Sequence, residues 1–193
     1  MENCNPVSTP LLKNEKLMKE DGSGDADAAL YRSLAEKLLY LTTARPDIMY
    51  ASGLLSCFMH HPRKIHFGVA KRVLRYIKGT KDFGLMYEKK ENEKFKLFGF
   101  CDGDWASHVD DWKSTSSYAF TLGSSVFSWA SKKQERVAHF TMEAEYVSAI
   151  EAIIQIVWLR NVLGDMVEKQ DKATILFCND KSAIAMSKKI HLP

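Results

Sequence analysis

The sequence predicts an α/β protein, a mixed sheet with covering helices preceded by a small helical segment. Three observations carry that prediction. Apolar residues recur at helical spacing through residues 29–81, whereas short apolar runs broken by Gly, Ser and Asp dominate from Asp82 onward. The second half reads strand, hairpin, long helix, strand, helix, an order that suits a mixed sheet with helices packed on it. Acidic residues recur at the ends of those runs: Asp102 and Asp104 after a strand, Glu143 and Glu145 at a helix start, Asn179-Asp180 after another strand.

Residues 1–28 carry Pro6, Pro10 and Asp21-Gly-Ser-Gly24 with few apolar anchors. They read as an extended, partly disordered lead-in. From Ala29 the leucines at 30, 34, 38 and 41 predict a first helix. Arg45-Pro46-Asp47 starts a second, with Pro in its first turn. Ile48, Leu54, Leu55 and Phe58 supply its apolar face before His60-His61-Pro62 ends it. A third runs from about Lys64 to Lys78 and stops at Gly79, a favoured C-cap residue.

The third helix sorts its residues by face. Val69, Ala70, Val73, Leu74 and Ile77 form one apolar stripe, and Lys64, Lys71, Arg75 and Lys78 gather opposite. No acid occurs between Asp47 and Asp82. Two readings stand: a solvated face on a core helix, or contacts to a nucleic-acid backbone.

The segment 82–193 forms the second domain. Phe95 to Asp102 reads as its first strand. Ser117 to Leu122 and Val126 to Ala130 flank Gly123-Ser124-Ser125 as a hairpin. Thr141 to Leu163 is a long helix with Thr141 as its N-cap and Tyr146, Ile150, Ile153, Val157 and Trp158 as its core stripe. Ala173 to Cys178 is a short strand and Lys181 to Lys188 begins a helix.

Composition removes several classes. The chain has 193 residues, a net charge of +3 and 46% hydrophobic residues, ordinary for a globular protein. Its four cysteines, Cys4, Cys57, Cys101 and Cys178, form no CxxC pair, which argues against zinc. Cys101 and Cys178 read as buried thiols on neighbouring strands. No apolar run approaches the roughly 20 residues of a membrane helix, and the polar N-terminus carries no secretory signal. The expectation is an intracellular protein, cytoplasmic or nuclear, with no membrane partner. Several carboxylates at strand and helix ends are what hard divalent cations need, and phosphate chemistry commonly uses two such ions.

Longer motifs carry a resemblance. Tyr31-Arg-Ser-Leu34, Tyr40-Leu-Thr-Thr-Ala-Arg-Pro-Asp-Ile48 and Ala70-Lys-Arg-Val-Leu-Arg-Tyr-Ile-Lys-Gly-Thr80 resemble the connecting helical region of copia-type LTR retrotransposon Pol polyproteins. Asp102-Gly-Asp-Trp-Ala106, Asp110-Asp-Trp-Lys-Ser-Thr-Ser116, Ser128-Trp-Ala-Ser-Lys-Lys133 and Glu143-Ala-Glu-Tyr146 resemble their RNase H domain. The resemblance runs in order from Asn5 onward, at the C-terminal end of the polyprotein. It implies an RNase H-like fold and cleavage of the RNA strand of an RNA–DNA hybrid with Mg2+ or Mn2+. It also implies an upstream reverse-transcriptase domain.

Residue by residue, Asp102 matches the first-strand acid and Glu145 the helix acid, with Glu143 as its rival. These make Asp102 and Glu145 the implied metal ligands. On a helix Glu145 shares a face with Ala149 and Ala152, whose small size permits close approach to a sheet. Asp104, Asp110 and Asp111 read as loop acids and Trp105 as a packing residue. Asn179 falls where the family has its third acid. An amide offers a carbonyl oxygen but no negative charge. Asp180 is a possible substitute, although successive strand side chains point to opposite faces. Glu36, Ser107 and Ser117 stand at family Gly positions, where a side chain can be costly if the backbone needs positive φ. The family's fourth acid falls beyond Pro193, so the domain is expected to be C-terminally truncated. These departures imply impaired cleavage. The alternative is a non-catalytic remnant that binds nucleic acid or protein.

Overall fold

The computed structural model describes residues 4–13, 15–88, 95–166 and 168–189. The chain forms two compact units, Met1–Gly84 with His108–Asp111, and Leu85–Ser107 with Trp112–Pro193.

The first unit is helical: α1 (Ala28–Leu41), a 3-10 turn (Pro46–Ile48), α2 (Met49–Ser56) and α3 (Lys64–Gly79). Asp27 caps α1 by accepting the Leu30 N–H at 3.0 Å. The buried face of α1 is Tyr31, Ala35 and Leu38, whereas Leu30 is exposed. Of the expected leucine stripe, Leu38 is buried and Leu34 and Leu41 pack on the core, while Leu30 is replaced by Tyr31. Tyr31 takes the inward position because its hydroxyl donates to the Leu55 carbonyl at 2.8 Å, so full burial leaves no orphaned polar atom. In α3 the expected stripe holds, with Val69, Ala70, Val73 and Tyr76 buried.

The described residues of the lead-in are mostly loop, as expected, but packed against the helices rather than disordered. Leu17 is buried, and Val7 and Leu11 pack on the helical core. Gly79 closes α3 without a left-handed cap. A Cβ there would lie 2.9 Å from Pro6 Cβ, so the glycine serves the close passage of the lead-in.

The second unit holds β1 (Leu97–Asp104), β2 (Thr115–Leu122), β3 (Ser125–Lys133), α4 (Thr141–Asp165), β4 (Ile175–Cys178) and α5 (Lys181–Lys189). The sheet order is β3-β2-β1-β4. β1 is antiparallel to β2 and parallel to β4. This is the mixed sheet with helices that an RNase H-like fold requires.

β1 starts and ends two residues later than the sequence suggested. Gly103 and Asp104 still pair, with Ser116 and Thr115, so Asp104 is a strand residue rather than a loop acid. The hairpin turns at Gly123, φ 68°, with Leu122 paired to Ser125. Neither Ser107 nor Ser117 has positive φ. That conformation falls instead on Ala106 (49°) and Trp112 (56°).

The largest correction concerns α4. Its buried residues are Ala144, Glu145, Ser148, Ala152, Ile156, Leu159 and Leu163. Ile150, Ile153, Val157 and Trp158, expected in the core, face outward. The helix is apolar on both sides, so periodicity could not choose between them. It is also long and apolar enough to cross a membrane by length and composition, against the expectation that no such segment exists. Its inner side nevertheless packs with Leu97, Cys101 and Phe120 in the core of the sheet unit. Thr141 does not cap it. The cap residue is Phe140, and the His139 N–H donates to Glu143 Oε2 at 2.7 Å.

Candidate functional site

Glu145 meets the sheet where α4 crosses β1. Gly103 makes the crossing possible, since a Cβ there would lie 2.8 Å from the backbone of Ala144 and Glu145. The helix is further tied down by Ser148, whose hydroxyl donates to the Asp102 carbonyl at 2.7 Å. Gln134 is buried and donates to the Ala144 carbonyl at 3.0 Å and to Ser116 Oγ at 2.9 Å. Sequence reasoning missed Gly103, Ser148 and Gln134. The available signal was a glycine inside a strand and small residues at 144, 148 and 152 along one helix face.

Glu145 is the helix residue that faces the strand. It is 5% exposed and accepts the Gly103 N–H on Oε2 at 3.0 Å. Burial raises its pKa first, and the neighbouring charge of Asp102 second. The Gly103 hydrogen bond opposes both, and Asp180 adds a further upward push. Glu143 lies in the first turn and reaches back to the backbone of His139.

Asp102 is exposed on the other face of β1. Asn179 follows β4, and its Nδ2 donates to Asp102 Oδ1 at 3.0 Å. Asp180 caps α5, accepting the Ala183 N–H on Oδ1 at 2.6 Å, yet its charge still reaches Glu145. Its carboxylate hydrogen bond is thus directed to α5. Asn179 is joined to Asp102 by its amide hydrogen bond, while Glu145, on the helix side of β1, senses Asp102 and Asp180 through their charge. Cys101 and Cys178 lie side by side in the register of β1 and β4, and burial followed by the neighbouring Cys178 pushes the Cys101 thiol up to about 12. Trp105 is only half buried, with its indole N–H donating to the Ala138 carbonyl at 3.0 Å.

This donor set does not fit a pair of divalent cations. Among the described residues no group of three or more His, Cys, Asp or Glu side chains could hold a metal ion. An amide that donates N–H to Asp102 acts there as the positive end of a dipole, the role a cation would otherwise fill.

The basic residues of α3 have local partners. Arg75 Nε donates to the Asn5 carbonyl at 2.7 Å and Lys78 Nζ to the Cys4 carbonyl at 3.0 Å. Lys71 Nζ sits 4.5 Å from the centre of the Phe67 ring. Lys64 and Lys71 are exposed, while Arg75 is half buried. Arg75 and Lys78 therefore hold the lead-in, a use that charge counting could not reveal.

The chain is 35% identical over 183 residues to the retrovirus-related Pol polyprotein from transposon RE2 of Arabidopsis thaliana, covering 95% of this chain and 12% of that protein. It is 36% identical to the corresponding polyprotein from transposon TNT 1-94 of Nicotiana tabacum, over 97% of this chain and 14% of the relative. It is also 41% identical to the secreted RxLR effector protein 161 of Plasmopara viticola, over 67% of this chain and 90% of that protein. The chain thus spans about an eighth of the length of the Pol polyproteins, 12% and 14% in these two cases. No family model matches the chain, and no solved structure matches it.

Proposed function

We propose that this chain, about 35% identical over nearly its whole length to retrovirus-related Pol polyproteins of transposons, derives from such a polyprotein and that its sheet unit is an RNase H-like domain that has lost hybrid cleavage. The observation that supports this reading is the Asn179 amide donating to Asp102 Oδ1 at 3.0 Å. Cleavage of the RNA strand of an RNA–DNA hybrid needs charge enough to hold two cations beside the scissile phosphate. Here the first-strand acid faces a neutral amide, Glu145 is buried with a raised pKa, and Asp180 is engaged as a helix cap. Hybrid recognition would use shape and 2′-hydroxyl contacts rather than sequence.

The test is cleavage of an RNA–DNA hybrid in Mg2+ and in Mn2+ by the chain as written, by Asn179→Asp and by Asp102→Ala. The expected result is no turnover above the Asp102→Ala background for the chain as written. Robust turnover that disappears in Asp102→Ala overturns the proposal.

A further inference from the structure

The outward side of α4 remains unexplained by any chemistry at the acid cluster. Ile150, Ile153, Ile154, Val157 and Trp158 are 39, 49, 65, 55 and 56% exposed. Every exposed residue of α4 between Ala149 and Leu159 belongs to this set. Alternate spacings of three and four residues place them on one continuous ridge. The inner side of the same helix is already packed through Ala152, Ile156 and Leu159. A helix apolar on both sides is built to lie between two layers, and the sheet of its own unit supplies one of them.

We infer that this ridge is a self-association surface on which a second copy of the chain docks through its own α4. The ridge is centred near Ile154, so a two-fold axis at that residue lays each ridge antiparallel on the other, with Ile150 opposite Trp158. Such a patch is self-complementary, as an isologous dimer requires. With roughly 150–250 Å2 for an aromatic side chain and less for an aliphatic one, covering these exposed parts completely would bury at most about 1,000 Å2 across the pair, the lower bound for a specific association.

A lipid surface fits less well. Interfacial helices flank their apolar face with Lys and Arg. The only basic residue of α4 is Arg160, and its guanidinium donates to the Gln170 and Lys172 carbonyls at 2.6 and 2.7 Å. The helix carries Glu143, Glu145, Glu151 and Asp165 instead, which anionic headgroups repel.

Sedimentation velocity on the full chain between about 1 and 100 µM, a range that resolves micromolar association, tests the inference. The chain as written should dimerise. Ile154→Glu should raise the dimer dissociation constant at least about a hundredfold, and Trp158→Ala, which adds no charge, about thirtyfold. An equimolar mixture of Ile154→Glu and Ile154→Lys should recover a dimer that neither forms alone. Phe100→Glu, on the opposite side of the sheet, should leave the dimer intact. A chain that stays monomeric throughout overturns the inference. So does a dimer insensitive to Ile154→Glu, a dimer lost in Phe100→Glu, or a monomer that pellets with phosphatidylserine vesicles.

Discussion

Replacing Gly103 with Ala should remove a large part of the stability of the sheet unit. The added Cβ would sit 2.8 Å from Ala144 C, Ala144 O and Glu145 N. These are backbone atoms of a helix held in place by Ser148 and Gln134, so they cannot rotate aside. Relieving the overlap means moving α4 off β1, at about 1–3 kcal/mol for overpacking. The same movement stretches the 3.0 Å hydrogen bond from Gly103 N–H to Glu145, and a bond to a charged group contributes about 1.5–3 kcal/mol. Together these cost about 2.5–6 kcal/mol, against a total of about 5–15 for a domain. Gly99→Ala is the control. Its Cβ would meet Leu176 Cδ1 and Phe120 Cε1 at 2.9 Å, side-chain atoms that can yield, so about 1–2 kcal/mol is expected. Trp105, Trp112, Trp129 and Trp158 all lie in the sheet unit, so tryptophan fluorescence during urea unfolding reports that unit alone. Gly103→Ala should lower the midpoint by about 1–3 M. A midpoint within about 0.2 M of the parent, or a larger loss for Gly99→Ala, refutes the crossing geometry.

Two pH-linked predictions follow from the buried ionisable groups. Burial chiefly, against the Met18 carbonyl and nearby acids, holds His66 below its ordinary 6.5. Its ring stacks on Phe58 at 4.0 Å, and its Nδ1 accepts the Arg63 N–H at 2.9 Å. The unfolded chain therefore binds the extra proton first. Stability of the helical unit should be full above pH 6.5 and fall as pH drops below it, and His66→Gln should flatten that slope in far-UV circular dichroism melts. A slope unchanged in His66→Gln shows that another group is responsible. For Glu145 the sign is opposite, because its folded pKa is raised above 4.5. Its contribution is intact below pH 4.5 and lost as pH rises through the folded value. Glu145→Gln should stabilise the sheet unit at pH 7 by about 0.5–1 kcal/mol, with no gain below pH 4. A loss at pH 7 would mean that the carboxylate is held by an unrecognised cationic group.

Legibility followed the physics of each segment. α3 was readable because its Val69, Ala70 and Val73 stripe is bounded by charge on the other side. α4 was readable as a helix and misread as a surface, since apolar residues on both sides remove the contrast that periodicity measures. The start of β2 reads two residues late, at Ser117, since Thr115 and Ser116 add no apolar residue to the run. They are buried there, with hydroxyls satisfied by Ser107 and Gln134. The lead-in looked disordered because its anchors act through backbone carbonyls, which any sequence supplies. At the acid cluster, the positions of Asp102 and Glu145 were legible from strand and helix ends. That Asn179 would turn its amide to Asp102, and that Asp180 would cap α5 while still acting on Glu145, depended on side-chain directions at a strand-to-helix turn.

The central claim is that the amide of Asn179 stands where the charge for a cation pair would be needed. Electron paramagnetic resonance of Mn2+ titrated into the chain, with an RNA–DNA hybrid present, addresses it directly. The expected spectrum shows no bound pair of ions and no change on Asp102→Asn. A spin-coupled Mn2+ pair that is lost in Asp102→Asn would contradict the account.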